Sequence, residues 1–307
     1  MKRFIKNLLA FLLVLILACG LVVGLECKLI GNQYEDNFQA SIIDKINRLQ
    51  SIDEPKIILV GNSNVAFGFR SEMLEDEFGM PVVNLGLHGG LGNRFLENMA
   101  KYNIGEGDIV ILCHSDYDVD GDVPDIQLAW ITLEYHTELW GLIKDSDDPM
   151  QFAIGFPKYM YKATMAKLKN EERPSGCYSR AGFNEYGDVV GNFENTTFPI
   201  NPVTVPSISD ETVERINELN TYCQGQGATL LIAGFPVYDY EETPDKSEYD
   251  TFEEELRSRV DCQVISHFSD YFIGQEYYYD TILHLTDEGD RIRTQILIDD
   301  LKQSGAL

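Results

Sequence analysis

The sequence predicts an α/β three-layer sandwich: a central parallel sheet of about five strands covered by helices on both faces, with a helical insertion and an N-terminal transmembrane helix. Two patterns predict it. Five short apolar runs recur between helix-like stretches, and none of them alternates polar with apolar residues, as expected of strands buried on both faces. Ahead of them lies one uncharged apolar stretch long enough to reach across a bilayer. At 307 residues with 44% hydrophobic content, the chain can bury a large core.

Lys2, Arg3 and Lys6 precede residues 8–25, a run without a charge. Basic residues on the upstream side predict that the chain starts in the cytoplasm and that the remainder lies outside. The run is longer than the apolar region of most cleaved signals, so residues 1–29 read as an uncleaved signal-anchor. Cleavage near Gly24 and lipidation at Cys19 are the alternatives, the second opposed by the apolar run continuing through Val23. Residues 30–54 follow, with Phe38, Ile42, Ile43, Ile46 and Leu49 at helical spacing, a juxtamembrane stalk or first helix that Pro55 ends.

Residues 55–307 then carry the domain. Strands are predicted at 56–60, 81–85, 108–113, 228–235 and 262–265, and helices at 71–78, 92–102, 211–223 and 251–260. The last helix, 287–301, is announced by Thr286 as a cap with acids in the first turn. Between the third and fourth strands, 121–206 breaks the rhythm with two helix patterns, 126–143 and 150–169, and a polar stretch rich in Gly, Asn and Pro. An insertion of this size predicts a cap over the site. Its aromatics (Trp130, Tyr135, Trp140, Phe152, Phe156, Tyr159 and Tyr161) read either as the packing of two helices or as the lining of an acyl or sugar pocket.

The formal charge of −26, from 50 acidic against 24 basic residues, excludes a nucleic-acid partner, whose phosphates need clustered Lys and Arg. It reads first as a well-solvated surface. Cys27, Cys113, Cys177, Cys223 and Cys262 follow the apolar run without a C-x-x-C spacing, which argues against a disulfide framework or a zinc ribbon. Cys177, in its polar loop, is the candidate for a single pair, and Cys113 reads as a small core residue.

Chemistry is concentrated in two segments. I-I-L-V-G-N-S-N delivers Ser63 on a Gly/Asn turn after the first strand, and Y-Y-Y-D-T-I-L-H-L-T-D-E-G offers Asp280 and His284 four residues apart. A serine hydroxyl needs an imidazole to take its proton, and the imidazole needs a carboxylate to fix its tautomer. Ligands gather beyond the carboxyl ends of parallel strands, where Ser63, Gly86, His114 and Asp116 must fall. The N-H groups of Ser63 and Gly86 are plausible oxyanion donors, with Asn64 and Asn62 as side-chain candidates. His88, His114 and Asp116 are candidates to line the site.

These segments, with N-L-G-L-H-G-G after the second strand, resemble the SGNH (GDSL-like) hydrolase superfamily over about residues 56–301. The resemblance implies a flavodoxin-like fold, Ser63 as nucleophile, His284 as base, Asp280 as its orienting acid, and an oxyanion hole from Ser63, Gly86 and Asn64. G-N-S-N-V-A-F-G-F and Y-D-T-I-L-H-L-T-D-E-G-D-R-I-R-T are similar to the membrane-anchored envelope branch, which includes the D-alanyl transfer protein of teichoic acid synthesis. That likeness implies an extracytoplasmic esterase or O-acyltransferase at a bacterial cell surface, acting on acylated envelope polysaccharide or polyol, beside a multi-pass acyltransferase and without a metal or organic cofactor. The chain departs from the pattern in three places. Asn62 replaces the Asp of G-D-S, Asp280 precedes His284 by four residues instead of three, and C-H-S-D-Y-D lacks the Asn expected after the third strand. These departures keep a second reading open, an inactive binding or adaptor protein for an envelope acyltransferase or polymer exporter.

Overall fold

A computed structural model describes residues 2–30, 33–118, 124–134, 136–143, 149–200 and 202–307. Its helices are α1 (Lys2–Ile30), α2 (Ile42–Ser51), α3 (Ser63–Ala66), α4 (Ser71–Phe78), α5 (Asn93–Ala100), α6 (Ile126–Leu133), α7 (Pro149–Leu168), α8 (Asp210–Gly225), α9 (Lys246–Arg259) and α10 (Asp287–Ser304). The strands are β1 (Ile57–Val60), β2 (Val82–Asn84), β3 (Ile109–Leu112), β4 (Thr229–Ile232), β5 (Val237–Asp239), β6 (Gln263–Val264) and β7 (Phe272–Gly274).

Five strands form one parallel sheet in the order β2-β1-β3-β4-β6. This is the flavodoxin-like doubly wound order, and it reverses direction between β1 and β3. The expected class is therefore found, with helices flanking the sheet. Every residue of β1 and β3 is buried, because α-helices cover both faces and leave no polar side to the pleat. Ile58, Val60, Val110 and Leu112 join one core cluster, whereas Ile57, Leu59, Ile109 and Ile111 join the other, so alternate residues of each strand feed opposite layers. The small pair β5–β7 is an addition the apolar pattern does not announce, since three-residue strands are too short to carry a period.

The segment before β1 belongs to the same core. Ile42, Ile46 and Leu49 of α2 are buried within the larger cluster, so this segment is a first helix and not a solvated stalk. The Lys45 ammonium reaches the carbonyls of Asn84 (2.9 Å) and Gly187 (2.5 Å), and its burial pushes the amine down to about 7. α1, over Lys2–Leu25, is long and apolar enough to cross a membrane, and that stretch is wholly exposed, compatible with an anchor or a signal sequence.

The insertion forms α6, a 3-10 turn from Thr137 to Ile143, and α7. Its aromatics pack on one another: Trp130 stacks on Phe152 at 3.8 Å and lies against Tyr159 and Phe156. Trp130, Phe152, Phe156 and Tyr159 fill the α6–α7 interface, Tyr161 is exposed on the outer side of α7, none of them is among the residues lining the cleft beside Asn62, and Tyr135 lies outside the described residues. Cys113 and Cys223 are buried, and Cys19, Cys113, Cys177, Cys223 and Cys262 are all free thiols, so Cys177 forms no pair among the described residues.

Two stability predictions follow from this packing. Leu49→Ala is expected to cost about 2–5 kcal/mol in chemical denaturation, as for a fully buried leucine; a change near zero would mean that α2 stands outside the core. Glu134 is the second case. Burial raises its carboxyl to about 7, against hydrogen bonds from the Tyr34 N–H and the Tyr159 hydroxyl that act to lower it. The folded state therefore holds a proton there that the unfolded chain loses above its ordinary value of 4.5, and the stability from this group falls as pH rises from there to about 7. Glu134→Gln should narrow the difference between unfolding midpoints at pH 5 and pH 8, and an unchanged difference would contradict the assignment.

Candidate active site

β1 ends at Val60, and the chain turns through Gly61 and Asn62 into α3, whose first residue is Ser63. The turn is tight. A Cβ on Gly61 would lie 2.5 Å from Val65 Cγ2 and 3.0 Å from the Cys113 carbonyl oxygen, so only glycine lets the turn approach the end of β3. Asn62 caps α3 by accepting the Asn64 N–H at 3.1 Å, and its amide donates to Ser115 Oγ at 2.7 Å. Arg293 of α10, fully buried, donates to the Asn64 carbonyl at 2.6 Å and to Gly234 at 3.2 Å.

The second half of the site comes from the loop before α10. The bridge Tyr278–Leu285 and the bond from Tyr279 N–H to the His284 carbonyl (2.8 Å) close it, and Thr281 Oγ1 accepts the N–H groups of Leu283 and His284. This closure brings the four-residue spacing to the right geometry. His284 Nε2 lies 2.9 Å from Ser63 Oγ, and His284 Nδ1 lies 2.8 Å from Asp280 Oδ1. A carboxylate only accepts, so the ring proton belongs on Nδ1 and the Nε2 lone pair faces the serine hydroxyl. Phe67 stacks on the His284 ring at 4.1 Å and 12°, fixing its plane.

Tyr178, a residue of the insertion, completes the array. Its hydroxyl lies 2.5 Å from Asp280 Oδ2 and 3.1 Å from His284 Nδ1. Burial alone would raise the Asp280 carboxyl, but hydrogen bonds from His284 and Tyr178 outweigh it and hold the group below the ordinary aspartate value. The Tyr178 phenol is pushed well up, by burial and then by Asp280, so it stays protonated and donates. No spacing rule marked this residue. It lies in an aperiodic stretch 106 residues before His284, and the only signal was its place in an insertion expected to cap the site.

Several expected site residues serve other roles. The Gly86 N–H donates to Asn84 Oδ1 at 2.8 Å and is committed to its own turn, so it is not a free oxyanion donor. A Cβ on Gly86 would meet the Ala66 nitrogen at 2.3 Å, so this glycine serves close packing of the β2 loop on α3. The Asn64 amide turns inward to the Cys113 carbonyl and to Asn62 Oδ1, which removes it as a side-chain donor. His114 is buried with Glu97 at 2.9 Å, beneath the sheet end, and lines no opening. Gly89 was overlooked: a Cβ there would sit 3.3 Å from Asn62 Cβ, and its N–H, like that of Ser63, has no hydrogen-bond partner among the described residues.

His88 lies at the surface, accepting the Gly90 N–H on Nδ1; partial burial and then the charge of nearby His284 push its pKa down. Asp116 lines a cleft of about 420 Å³ that opens beside Asn62 and Leu283, with Phe235, Val237 and Tyr249 among its apolar walls. Residues 202–207, at the end of the insertion, also line the cleft. Among the described residues no group of three or more His, Cys, Asp or Glu side chains is gathered as a metal site.

No protein-family model matches the chain, and no curated protein matches it. Among solved structures, one from Streptococcus pneumoniae described as "a putative platelet activating factor" covers 94% of this chain and 98% of its own at 14% identity. Its TM-score of 0.38 is too low to carry an argument about chemistry. The site therefore rests on its own geometry: an α/β fold with a serine, a histidine and an aspartate in hydrogen-bonded series at the carboxyl end of its sheet.

Removing the Tyr178 hydroxyl tests its part in that series. A hydrogen bond to a charged group contributes about 1.5–3 kcal/mol, so Tyr178→Phe should slow reaction of Ser63 with an acylating probe by roughly ten- to a hundredfold. An unchanged rate would mark the contact as incidental.

Proposed function

We propose that the protein is a membrane-anchored, extracytoplasmic serine acyl hydrolase or acyltransferase of SGNH type, acting on ester-linked acyl groups of envelope polysaccharide or polyol. One observation carries the reading. Ser63, His284 and Asp280 stand in a continuous hydrogen-bonded line although 221 residues separate the serine from the histidine. Such an alignment has a chemical use and no evident packing need, since a buried histidine can be satisfied by one acceptor.

In the proposed reaction His284 Nε2 takes the Ser63 hydroxyl proton as Oγ attacks the ester carbonyl carbon. The tetrahedral oxyanion would be met by the N–H groups of Ser63 and Gly89 and by the second Nδ2 proton of Asn62, which replaces the Asn lacking after β3. Collapse breaks the bond to the alcohol, which leaves with the proton returned from Nε2, and the acyl group stays on Ser63. Water or a sugar hydroxyl then gives its proton to His284 and attacks the seryl ester, and Ser63 Oγ recovers the proton as it departs. Asp280 remains ionised throughout and stabilises the imidazolium. The cleft beside Asn62 and Leu283 is the proposed seat of the acyl or acceptor group.

The anchor reading is supported by the length and exposure of α1 and by Lys2, Arg3 and Lys6 ahead of it. A multi-pass acyltransferase in the same membrane is the proposed source of acyl groups. The adaptor reading was motivated by the missing Asn after β3 and by the four-residue Asp280–His284 spacing; Asn62 is offered as a replacement donor, and Asp280 lies 2.8 Å from His284 Nδ1 despite the spacing.

A fluorophosphonate probe distinguishes the two. The full chain should form an adduct on Ser63, located by mass spectrometry, that disappears in His284→Ala. Ser63→Ala should lower turnover of acetyl, alanyl or short acyl esters by several orders of magnitude. A folded protein that takes no label and turns over none of these esters would favour the adaptor.

A further inference from the structure

α7 is apolar on two opposite faces. Phe152, Tyr159, Ala163 and Ala166 are buried against the rest of the insertion. On the other side Met150, Ile154, Tyr161 and Leu168, spaced by four, seven and seven residues, fall on one line of an α-helix. They are 65%, 62%, 67% and 71% exposed, the largest such set on the described surface beyond α1. A surface helix normally turns a polar face to water, so this second stripe needs an apolar partner.

The charges around the stripe identify the partner. Residues 149–169 hold Lys158, Lys162, Lys167 and Lys169 and no acid, in a chain where acids outnumber bases 50 to 24. All four lysines are exposed, and Lys158, Lys162 and Lys169 border the stripe on one side. An apolar line flanked by lysines suits a lipid surface, where the line enters the acyl boundary and the ammonium groups meet anionic headgroups. The helix also packs against α1, the segment read as membrane-spanning. We infer that α7 lies along the bilayer surface, its Met150–Leu168 stripe in the interface and its lysines on anionic lipid, so that the protein holds its membrane by a second, peripheral contact. This rests on the reading of α1 as an anchor.

The test uses the full chain in nanodiscs containing phosphatidylglycerol and phosphatidylcholine, with a photoreactive benzophenone amino acid placed singly at 161 or 168. Position 16 in α1 and position 254 on the exposed face of α9 serve as references. Lipid adducts at 161 and 168, well above those at 254 and reduced several-fold when phosphatidylglycerol is omitted, are expected. Adducts at 16 with no more at 161 and 168 than at 254 would overturn the interfacial contact and leave the anchor standing. Absence of adducts at 16 as well would overturn the anchor reading itself. Yields at 161 and 168 unaffected by lipid charge would overturn the role given to the lysines. Capture of a protein in place of lipid in native membranes would reassign the stripe to a partner chain.

Discussion

A buried guanidinium organises this molecule. Arg293, on the last helix and without exposed surface, donates to the carbonyl of Asn64 at the nucleophile turn and to that of Gly234 beyond β4, while its plane covers the Phe69 ring at 4.1 Å. Burial pushes its pKa down, yet a guanidinium remains charged even so, and its donors need acceptors that water no longer supplies. Carbonyls at the end of a short helix and a strand also need donors. The pairing ties the first third of the chain to its C-terminal helix, and that helix follows directly from the loop holding His284. The register between serine and histidine is thus set from behind, by backbone contacts that neither side chain makes.

In front, the array is held by aromatic packing. Phe67 stacks on His284 and contacts Tyr178 at 5.6 Å, and Phe38, from the segment before α2, contacts Phe67, Tyr178 and Phe183. The loop carrying Tyr178 is fastened in turn to that segment by the bridge Asn37–Ser179, by the Arg180 N–H on the Asp36 carbonyl, and by a bidentate Arg180–Asp44 pair at 2.6 and 2.7 Å. The insertion is therefore more a brace than a cap: its 176–190 portion supports the acid and the base, and residues 202–207 line the cleft.

Much of this was legible beforehand, and the reasons are physical. Strands buried on both faces must be apolar throughout, so β1 to β4 and β6 appear as runs in the sequence, whereas β5 and β7 are too short to show a pattern. Ser63 and His284 stand out because loops at strand ends carry chemistry. The sequence left the direction of the amides open: of the donors it offered, the Gly86 N–H and the Asn64 side chain are engaged within their own turns. Composition marks the glycine-rich turn, but the direction of each amide depends on side chains such as Asn84 and on the Cys113 carbonyl, which are near only in space. Tyr178 was illegible for the same reason, being placed by the bridge of its neighbour Ser179 to Asn37, which no local period encodes.

The fastening of residues 36–44 to the Tyr178 loop has a mechanical meaning. Only a short length of chain separates the end of α1 at Ile30 from Phe38, at most about 28 Å if fully drawn out. Since Phe38 belongs to the packing around the histidine, the proposed anchor would hold Ser63 at a height of that order above the end of α1. A substrate of the proposed polymeric kind would then have to bring its reacting units down to that level, so that reach, as well as chemical fit, would decide what can be bound.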